Sequence, residues 1–457
     1  MQQPIAREEI EAALRGHTAD YVEVRIEENA ATRIAYRGRD LEDIGRTTNL
    51  GGNVRALYRG AWGFVSFNDL SDLRSKVEAA VSQARVAGTE RSQLAPVPAV
   101  VDVVTPFIQK DPRGVPLADK KRVLDEYNDL IWTTPKIQTS VIGYADTWKS
   151  VIFASTEGSY LDQSKVDVTL RVSAVARHDG DVQQAGFSVG RLGDYGFVEQ
   201  QHQAVQEAAN RAVELLSAPA VQGGEYVVVL DPILAGVFCH EAFGHLSESD
   251  FVYENPRMRE IMVLGKRFGP AILNIVDGAA VPGLRGSFRY DDEGTPTRRS
   301  DLIREGVLVG RLHSRETAGK MGEQPTGNAR AIDYRFPPIV RMTNTFIEPG
   351  TTSFADMIAD IQEGVYARNW YGGQTSMEMF TFSAGEAYMI RNGKVAEMLR
   401  PVVLTGNVFD TLQRVDAIGN DLDMNQGGGC GKHGQSPLPV SNGSPHIRIS
   451  RCLVGGR

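Results

Sequence analysis

Two histidines and a glutamate lie within the six residues 240–245, His-Glu-Ala-Phe-Gly-His, near the end of a predicted helix. In the common zinc-hydrolase helix the two His are four residues apart, so both rings lie on one face and the Glu can act as a base. Here they are five apart, and at about 100° per residue the rings would diverge by roughly 140°. A shared metal ion therefore requires a distorted helix. A π-bulge, which takes up one extra residue, would realign the rings, and Gly244 could permit it.

The helix that carries these residues has a well-marked start. Residues 225–230 are a short apolar, β-branched run typical of a buried strand, and Asp231 and Pro232 follow as N-cap and first helical residue. Gly244 and the polar cluster 247–250 mark its end. The sequence thus predicts a helix from Pro232 to near residue 247. Buried or capping roles for the two His are the alternative to metal binding.

A catalytic zinc site needs three protein ligands, so the chain must supply one more than the two His. The candidates are the three cysteines, Cys239, Cys430 and Cys452. Cys239 would project about 100° from His240 and is predicted to be buried, and Cys452 lies in an alternating run typical of a strand. Cys430 lies in the Gly-rich segment 427–435, where the backbone can approach another element and Lys432 could lower the pKa of the thiol. An incidental thiol in a flexible loop is the alternative.

Four segments together resemble one protein family. They are HEAFGH at 240–245, TGNAR at 326–330, RMTN at 341–344 and GGGCGKHGQ at 427–435. The chain is similar over nearly its whole length to the TldD subfamily of the TldD/PmbA metalloproteases. The resemblance implies that His240, His245 and Cys430 bind Zn²⁺ and that Glu241 is the catalytic base. It also implies a homodimer, or a heterodimer with a related non-catalytic subunit, and a role in peptide processing.

Other polar residues are candidates to contact a substrate. Tyr290, Arg330 and His433 could stabilise a developing oxyanion or hold a peptide carbonyl, although ordinary loop or surface roles fit the sequence equally well. The acidic run 291–293 could receive a peptide amino terminus but is more typical of a solvated turn. The high predicted strand content favours a short or unfolded peptide docked at a sheet edge by backbone pairing.

The predicted function is that of a zinc-dependent peptidase in which Glu241 transfers the proton of the attacking water. Two alternatives remain open. One is a zinc-containing scaffold or binding protein without hydrolytic activity, and the other is a metal-dependent amidase acting on small molecules. A structural zinc site usually has four protein ligands and needs no base, so Glu241 beside a ligand favours the hydrolase.

The composition predicts a soluble, cytoplasmic protein. A net charge of -8, from 49 basic and 57 acidic residues, gives no reason to expect nucleic-acid binding. No apolar run is long enough for a membrane span, and residues 1–15 lack the apolar core of a signal peptide. Three scattered Cys do not form a disulfide framework, and a reducing compartment would keep Cys430 available for metal.

The predicted fold class is α+β. Residues 1–216 are an N-terminal α/β sheet-and-helix region, with a possible subdomain break near 94–118, and residues 217–224 are a linker. Residues 225–457 are a strand-rich C-terminal domain carrying the metal-binding helix, with an Asn-Gly hairpin turn at 391–394. Further elements are predicted as short strands at 21–26, 32–36 and 53–58, helices at 70–86, 119–131 and 197–216, and an extended connector at 94–106.

Overall fold

The computed structural model describes residues 5–87, 92–376 and 378–456. Its N-terminal half combines long strands with helices. The strands are β1 (Tyr21–Arg37), β2 (Asp40–Tyr58), β3 (Ala61–Phe67), β4 (Val101–Val104), β5 (Ile137–Ser155), β6 (Tyr160–His178) and β7 (Asp181–Leu192). The α-helices are α1 (Arg7–Ala13), α2 (Leu73–Val86), α3 (Leu117–Trp132) and α4 (His202–Glu214).

These strands form one sheet in the order β3-β2-β1-β5-β6-β4, with β7 also paired to β6. Successive side chains on a strand point to opposite faces. Even-numbered apolar residues such as Val24, Tyr144 and Val168 are buried in the two cores of this half. The odd-numbered face carries polar and charged residues, among them the buried Arg25 and Glu27. That polar face is the side turned toward the C-terminal half.

The N-terminal half departs from the sequence prediction at three places, two in the sheet and one in a helix. The strands predicted at 21–26 and 32–36 are one strand, because the polar residues between them continue the pairing of β1 with β2 and β5. The connector predicted at 94–106 contains β4, which pairs in parallel with β6. The helix predicted at 197–216 begins as a 3₁₀ turn, Gly196–Gln200, before α4.

The C-terminal half is rich in strands, as predicted, and the α+β class is confirmed. Its longer strands and those around the candidate site are β8 (Gly224–Leu230), β9 (Ile275–Gly278), β10 (Arg299–Arg304), β11 (Val307–Leu308), β12 (Ala329–Arg330), β13 (Ile339–Val340), β14 (Asn344–Ile347), β15 (Glu363–Ser376), β16 (Met379–Arg391), β17 (Lys394–Leu399) and β18 (Val402–Asn407). The remaining strands are β19 (Val415–Ile418), β20 (Asp423–Asn425), β21 (Gly429–Lys432), β22 (Gln435–Pro439), β23 (Ser441–Ser444) and β24 (Ile447–Gly456). The helices are α5 (Pro232–Cys239), α6 (Ser249–Glu254), α7 (Pro256–Ile261), α8 (Arg315–Met321), α9 (Phe354–Ile358) and α10 (Val408–Gln413).

Five of these strands close into a ring. The order β15-β8-β24-β18-β16 returns to β15, because β15 pairs with both β8 and β16. A second sheet has the order β11-β10-β9-β14-β23-β20, and β12-β13 and β21-β22 are separate two-stranded units. Helix α5 packs between the ring and the second sheet, with the Phe238 ring 5.4 Å from that of Phe380. This packing fixes the helix that leads into the two His residues.

Two further features concern a tight turn and the hydrophobicity of the helices. The Asn-Gly turn at 391–394 is confirmed, since Asn392 and Gly393 both have positive φ between the paired β16 and β17. Within the described part of the chain, no helix combines the length and hydrophobicity needed to span a bilayer.

Candidate metal centre

The helix that follows β8 contains the predicted bulge. The Asp231 side chain accepts a hydrogen bond from the Leu234 amide at 2.8 Å and caps the start of α5. After Cys239 the backbone changes to a π-helical turn, His240–Gly244, and then to a 3₁₀ turn, His245–Ser247. The extra residue of the π turn brings the two imidazole rings to the same side, with centroids 5.1 Å apart.

Gly244 leaves space here for the Met342 side chain. Its backbone is right-handed helical, so it needs no special freedom in φ. A Cβ at this position would stand 2.0 Å from the Met342 sulfur, a distance that no real pair of atoms adopts. The bulged turn therefore packs directly against the Arg-Met-Thr-Asn segment at 341–344.

The β21-β22 hairpin brings Cys430 to the two rings. Its Sγ lies 3.4 Å from Nε2 of His245, and the donor atoms of His240, His245 and Cys430 all lie within 4.8 Å of one another. His240 and Cys430 are buried, and His245 is half-buried. Residues separated by 430 − 240 = 190 positions thus converge on one point.

Contacts with the N-terminal sheet hold the loop that precedes Cys430. Arg285 donates to the carbonyls of Gln426 and Gly428, both at 2.7 Å, and its guanidinium forms a bidentate pair with Asp167 on β6. The Ser188 hydroxyl on β7 donates to the Gly427 carbonyl at 2.6 Å. The candidate third ligand is therefore positioned by both halves of the chain.

His245 is oriented by a buried carboxylate. Its Nδ1 lies 3.0 Å from Oε2 of Glu248, which leaves Nε2 facing Cys430. A carboxylate on the far nitrogen is the usual support for a metal-binding His. Glu248 also accepts from the Met342 amide at 3.2 Å and pairs with Lys432 at 3.0 Å. Burial alone would raise the pKa of Glu248, but the charges of Lys432 and His245 lower that pKa to about 2.

The thiol of Cys430 is strongly acidified. Burial raises its pKa, yet the neighbouring His240 and His245 outweigh burial and lower the pKa to about 4. The expectation that Lys432 lowers this pKa was wrong. The Lys432 ammonium instead contacts Glu248, Asp250 at 2.7 Å and the Val340 carbonyl at 2.9 Å. A thiolate is the form of cysteine that binds metal.

The donor set fits a zinc ion. Two imidazole nitrogens and one thiolate are ligands that Zn²⁺ accepts, and three protein donors are typical of a catalytic rather than a structural site. Among the described residues, no fourth His, Cys, Asp or Glu belongs to this group. His240 Nδ1 is buried without a hydrogen-bond partner in the described structure, and a polar atom in that state is costly unless a further group satisfies it. Glu241 follows His240 in the π turn and is half-buried.

The three candidate substrate residues lie at different places. The Tyr290 hydroxyl donates to Asp102 at 2.8 Å, and Arg330 is buried, donating to the carbonyls of Met342 and Pro439 at 2.6 Å each. Burial and the nearby Arg341 lower the pKa of Arg330 to about 10. His433 lies at the exposed tip of the β21-β22 hairpin. Tyr290 and Arg330 line one cavity, which is described below, whereas His433 does not.

The acidic run after Tyr290 is not a solvated turn, which corrects the sequence interpretation. Asp291 accepts hydrogen bonds from the amides of Glu293, Thr295 and Ala329. Glu293 pairs with Arg55 at 2.8 Å. Both carboxylates are 3 % exposed, and Glu293 joins the C-terminal half to the N-terminal sheet through Arg55.

The family-like motifs also have structural roles. Asp277 on β9 is 1 % exposed and accepts hydrogen bonds from Asn328, Thr343 and Thr345 at 2.7 to 2.9 Å. Arg341 donates to the Cys430 carbonyl at 2.8 Å. These buried contacts tie the segments 326–330 and 341–344 to the candidate centre.

Sequence reasoning missed Glu248, Arg341 and Arg285. Glu248 had a signal, because an acid three residues after a His lies on the same helical face and can support it. The cluster 247–250 was interpreted only as the end of the helix. Arg285 and Arg341 act through backbone carbonyls of a distant loop and have no local signal.

A large cavity lies beside the centre rather than on it. Its volume is about 1130 Å³, and it lies between the polar face of the N-terminal sheet and the C-terminal half. Tyr290 and Arg330 line it, as do Gly429 and Leu438 of the Cys430 hairpin, but the three donor residues do not. The hairpin therefore forms a wall between cavity and donors.

A bulged helix and a hairpin that present two imidazoles and a thiolate, with a Glu beside the first donor, define a candidate metal-hydrolase centre. Comparison with known families agrees with this class. Sequence models of the PmbA/TldA metallopeptidase domain 1, central domain and C-terminal domain match residues 22–84, 110–216 and 223–456. The chain belongs to the PmbA/TldD metallopeptidase family. The boundaries expected near 94–118 and at 217–224 overlap the gaps 85–109 and 217–222 between these matches and stay predictions.

Individual relatives span almost the whole chain. A metalloprotease of Synechocystis sp. is 50% identical over 96% of this chain and 95% of its own length. A zinc metalloprotease TldD homolog of Saccharolobus solfataricus is 30% identical over 96% and 97%. The crystal structure of TldE from Thermococcus kodakarensis has the same fold, with a TM-score of 0.78 at 16% identity and 98% of both chains covered. The resemblance to the TldD/PmbA family is thereby confirmed.

Proposed function

We propose that the protein is a zinc-dependent peptidase that hydrolyses short or unfolded polypeptides. His240, His245 and Cys430 are the proposed ligands, and Glu241 is the proposed base. The observation that carries the proposal is the convergence of the three donor atoms within 4.8 Å across 190 residues of sequence. Membership of a metallopeptidase family supports it.

When bound, Zn²⁺ would supply Lewis acidity toward a scissile carbonyl and toward the attacking water. The remaining roles, ligand orientation and proton transfer, belong to side chains of this protein. His245 is held with Nε2 toward the centre by Glu248, and Cys430 reaches the centre as a thiolate because its pKa is low. The Glu241 carboxylate accepts the proton from the attacking water and delivers it to the leaving amine. Tyr290, Arg330 and His433 remain candidates to hold the substrate.

Two other functions compete with this proposal. A zinc scaffold would need no base and would usually have a fourth protein ligand, so the three donors and Glu241 favour the hydrolase. An amidase for small molecules would need a pocket matched to a small ligand. The adjoining cavity of about 1130 Å³ exceeds the usual range of such pockets, which favours a peptide.

The assembly and location are also proposals. We propose a dimer, formed either by two copies or with a related subunit that lacks the metal ligands, following the family resemblance. We propose a cytoplasmic location, which is supported by three free cysteines, all buried and none in a disulfide.

The decisive experiment compares Glu241→Gln with wild type and with Glu254→Gln, a control at an exposed glutamate on α6. Metal content and cleavage of a library of unstructured peptides would be measured, before and after chelation and zinc return. We expect Glu241→Gln to keep zinc but to lose at least about 100-fold in kcat. The control should behave as wild type.

The outcomes separate the three functions. Normal cleavage by Glu241→Gln would remove this residue from the mechanism. Bound zinc without any cleavage, even with the related subunit added, would favour the scaffold. Cleavage of small amides but of no peptide would favour the amidase.

A further inference from the structure

The cavity beside the candidate centre is basic, although the chain as a whole is acidic. Eight Lys or Arg side chains line it against three Asp, whereas the net charge of the chain is -8. Most of these bases are already paired. Within the described part of the chain, the five that have a carboxylate partner are Arg285 with Asp167, Arg289 with Asp102, Lys149 with Glu27, Arg25 with Glu27 and Asp292, and Arg33 with Asp43. The bases left without a carboxylate partner are those that could bind a ligand.

Lys165 is the clearest of these bases. It lies directly opposite Lys149 in the β5-β6 register, and Lys149 in turn lies opposite Asn29 on β1. All three side chains line the cavity. Like charges directly opposite each other in a sheet are destabilising. Lys149 has Glu27 at 2.9 Å and the Ile332 carbonyl at 2.8 Å, but Lys165 has no partner among the described residues.

The surroundings of Lys165 confirm the excess of positive charge. Burial is the main cause that lowers the pKa of Lys165 to about 7, and the positive charges of Arg330 and Lys149 lower it further. The carboxylates of Asp167 and Asp292 act in the opposite direction. On the same wall, Nη2 of Arg25 pairs with Glu27 at 2.8 Å and Asp292 at 3.2 Å, but its Nε and Nη1 are buried without hydrogen-bond partners in the described structure. Arg25 is 2 % exposed. Unpaired buried polar atoms around one cavity indicate a missing polar ligand.

We propose that this cavity binds a carboxylate group of the substrate peptide, with Lys165 as its ion-pair partner. The inference rests on the proposed peptidase function and names its substrate class, a peptide that carries an acidic side chain or a free C-terminal carboxylate near the cleaved bond. A carboxylate supplies the acceptors that Lys165 and Arg25 lack. The negative charge of the bound carboxylate favours the protonated ammonium form of Lys165.

The cavity and the centre share the hairpin that carries Cys430. Leu438, which lines the cavity, pairs with Cys430 across the hairpin. Arg330 lines the cavity and donates to the Met342 carbonyl, and Met342 packs against Gly244 in the π turn. The hairpin that carries Cys430 therefore forms part of the cavity wall, and the cavity adjoins the donor cluster.

The test measures binding separately from cleavage. Zinc-loaded Glu241→Gln protein would be titrated by calorimetry with four matched eight-residue peptides, which combine an internal Glu or Gln with a C-terminal acid or amide. We expect the carboxylate-bearing peptides to bind about tenfold or more tightly than the neutral peptide, as a charge-assisted hydrogen bond would give. Comparing internal Glu with Gln tests a side-chain carboxylate, and comparing the C-terminal acid with the amide tests a terminal carboxylate.

The variants assign that preference to one side chain. In the Glu241→Gln protein, a second change, Lys165→Met, should remove the preference for carboxylate-bearing peptides. Lys165→Arg in the same protein should retain that preference. Arg177→Met is the matched control, because it removes a charge from an exposed end of the same strand and should leave the preference intact. Equal affinity for all four peptides, no binding of any of them, or a preference that survives Lys165→Met would overturn the inference. A retained preference alongside wild-type protein that cleaves nothing would instead refute the peptidase proposal alone.

Discussion

Glu248 offers a quantitative test of how the candidate centre is supported. Glu248→Gln keeps the size of the side chain and one acceptor for the Met342 amide, but it removes the charge that faces His245 and Lys432. The pKa of Glu248 is lowered from 4.5 to about 2. At about 1.36 kcal/mol per pKa unit, the ionised carboxylate contributes about 3 kcal/mol to the free energy of unfolding at neutral pH.

The sign of the pH dependence follows from that lowered pKa. Because the folded protein holds Glu248 ionised more strongly than the unfolded chain, the contribution is complete above the ordinary pKa of 4.5 and is lost as pH falls toward 2. Urea unfolding of metal-free protein should show Glu248→Gln destabilised by about 3 kcal/mol at pH 7 and by about 2 kcal/mol at pH 3.5. Zinc affinity, measured by competition with a chromogenic chelator, should fall about 10- to 100-fold because His245 loses its support.

Asp250→Asn is the control, because Asp250 is the other carboxylate of Lys432 and does not contact His245. We expect it to change stability while leaving zinc affinity close to that of wild type. The reasoning would be refuted if Glu248→Gln bound zinc as tightly as wild type and lost the same stability at both pH values.

Three other perturbations have definite expected outcomes. Gly427→Ala should lower zinc retention, because its Cβ would stand 1.9 Å from the Ser188 carbonyl oxygen, whereas Gly428→Ala meets open space and should leave metal content unchanged. Gly244→Ala should destabilise the protein by about 1–3 kcal/mol through its clash with Met342, and a calorimetric double-mutant cycle with Met342→Ala should give a combined loss smaller than the sum of the two single losses. Lys165→Met should raise stability to urea most at pH 6 and progressively less from pH 7 to pH 10.5, because the folded state holds this lysine at a pKa of about 7; a constant difference would contradict this.

Local patterns in the sequence predicted the parts of the fold that local physics controls. The Asp231-Pro232 start, the bulge demanded by five-residue His spacing and the Asn392-Gly393 turn depend on nearby backbone geometry. Each of these was confirmed. The spacing of His240 and His245 was informative because a regular helix would have separated the rings.

Features that depend on distant partners were not predictable in the same way. Glu293 looked like part of a solvated turn, but Arg55, 238 residues away, neutralises it in the interior. Lys432 looked like a partner for Cys430 two residues away, yet it pairs with Glu248 and Asp250. In both cases the sequence shows the charged residue and its spacing from nearby residues. The oppositely charged partner comes close only in the tertiary structure.

The hairpin that carries Cys430 also sets the order in which the centre can be completed during synthesis. His240 and His245 leave the ribosome well before Cys430, and the loop ahead of Cys430 is seated on Ser188 and, through Arg285, on Asp167. A nascent chain can therefore present the two imidazoles but not the third donor. A chain whose halves have docked incorrectly lacks that donor as well. If the proposed peptidase requires all three ligands, unfinished and misassembled copies remain inactive, and neighbouring unfolded chains are protected from premature cleavage.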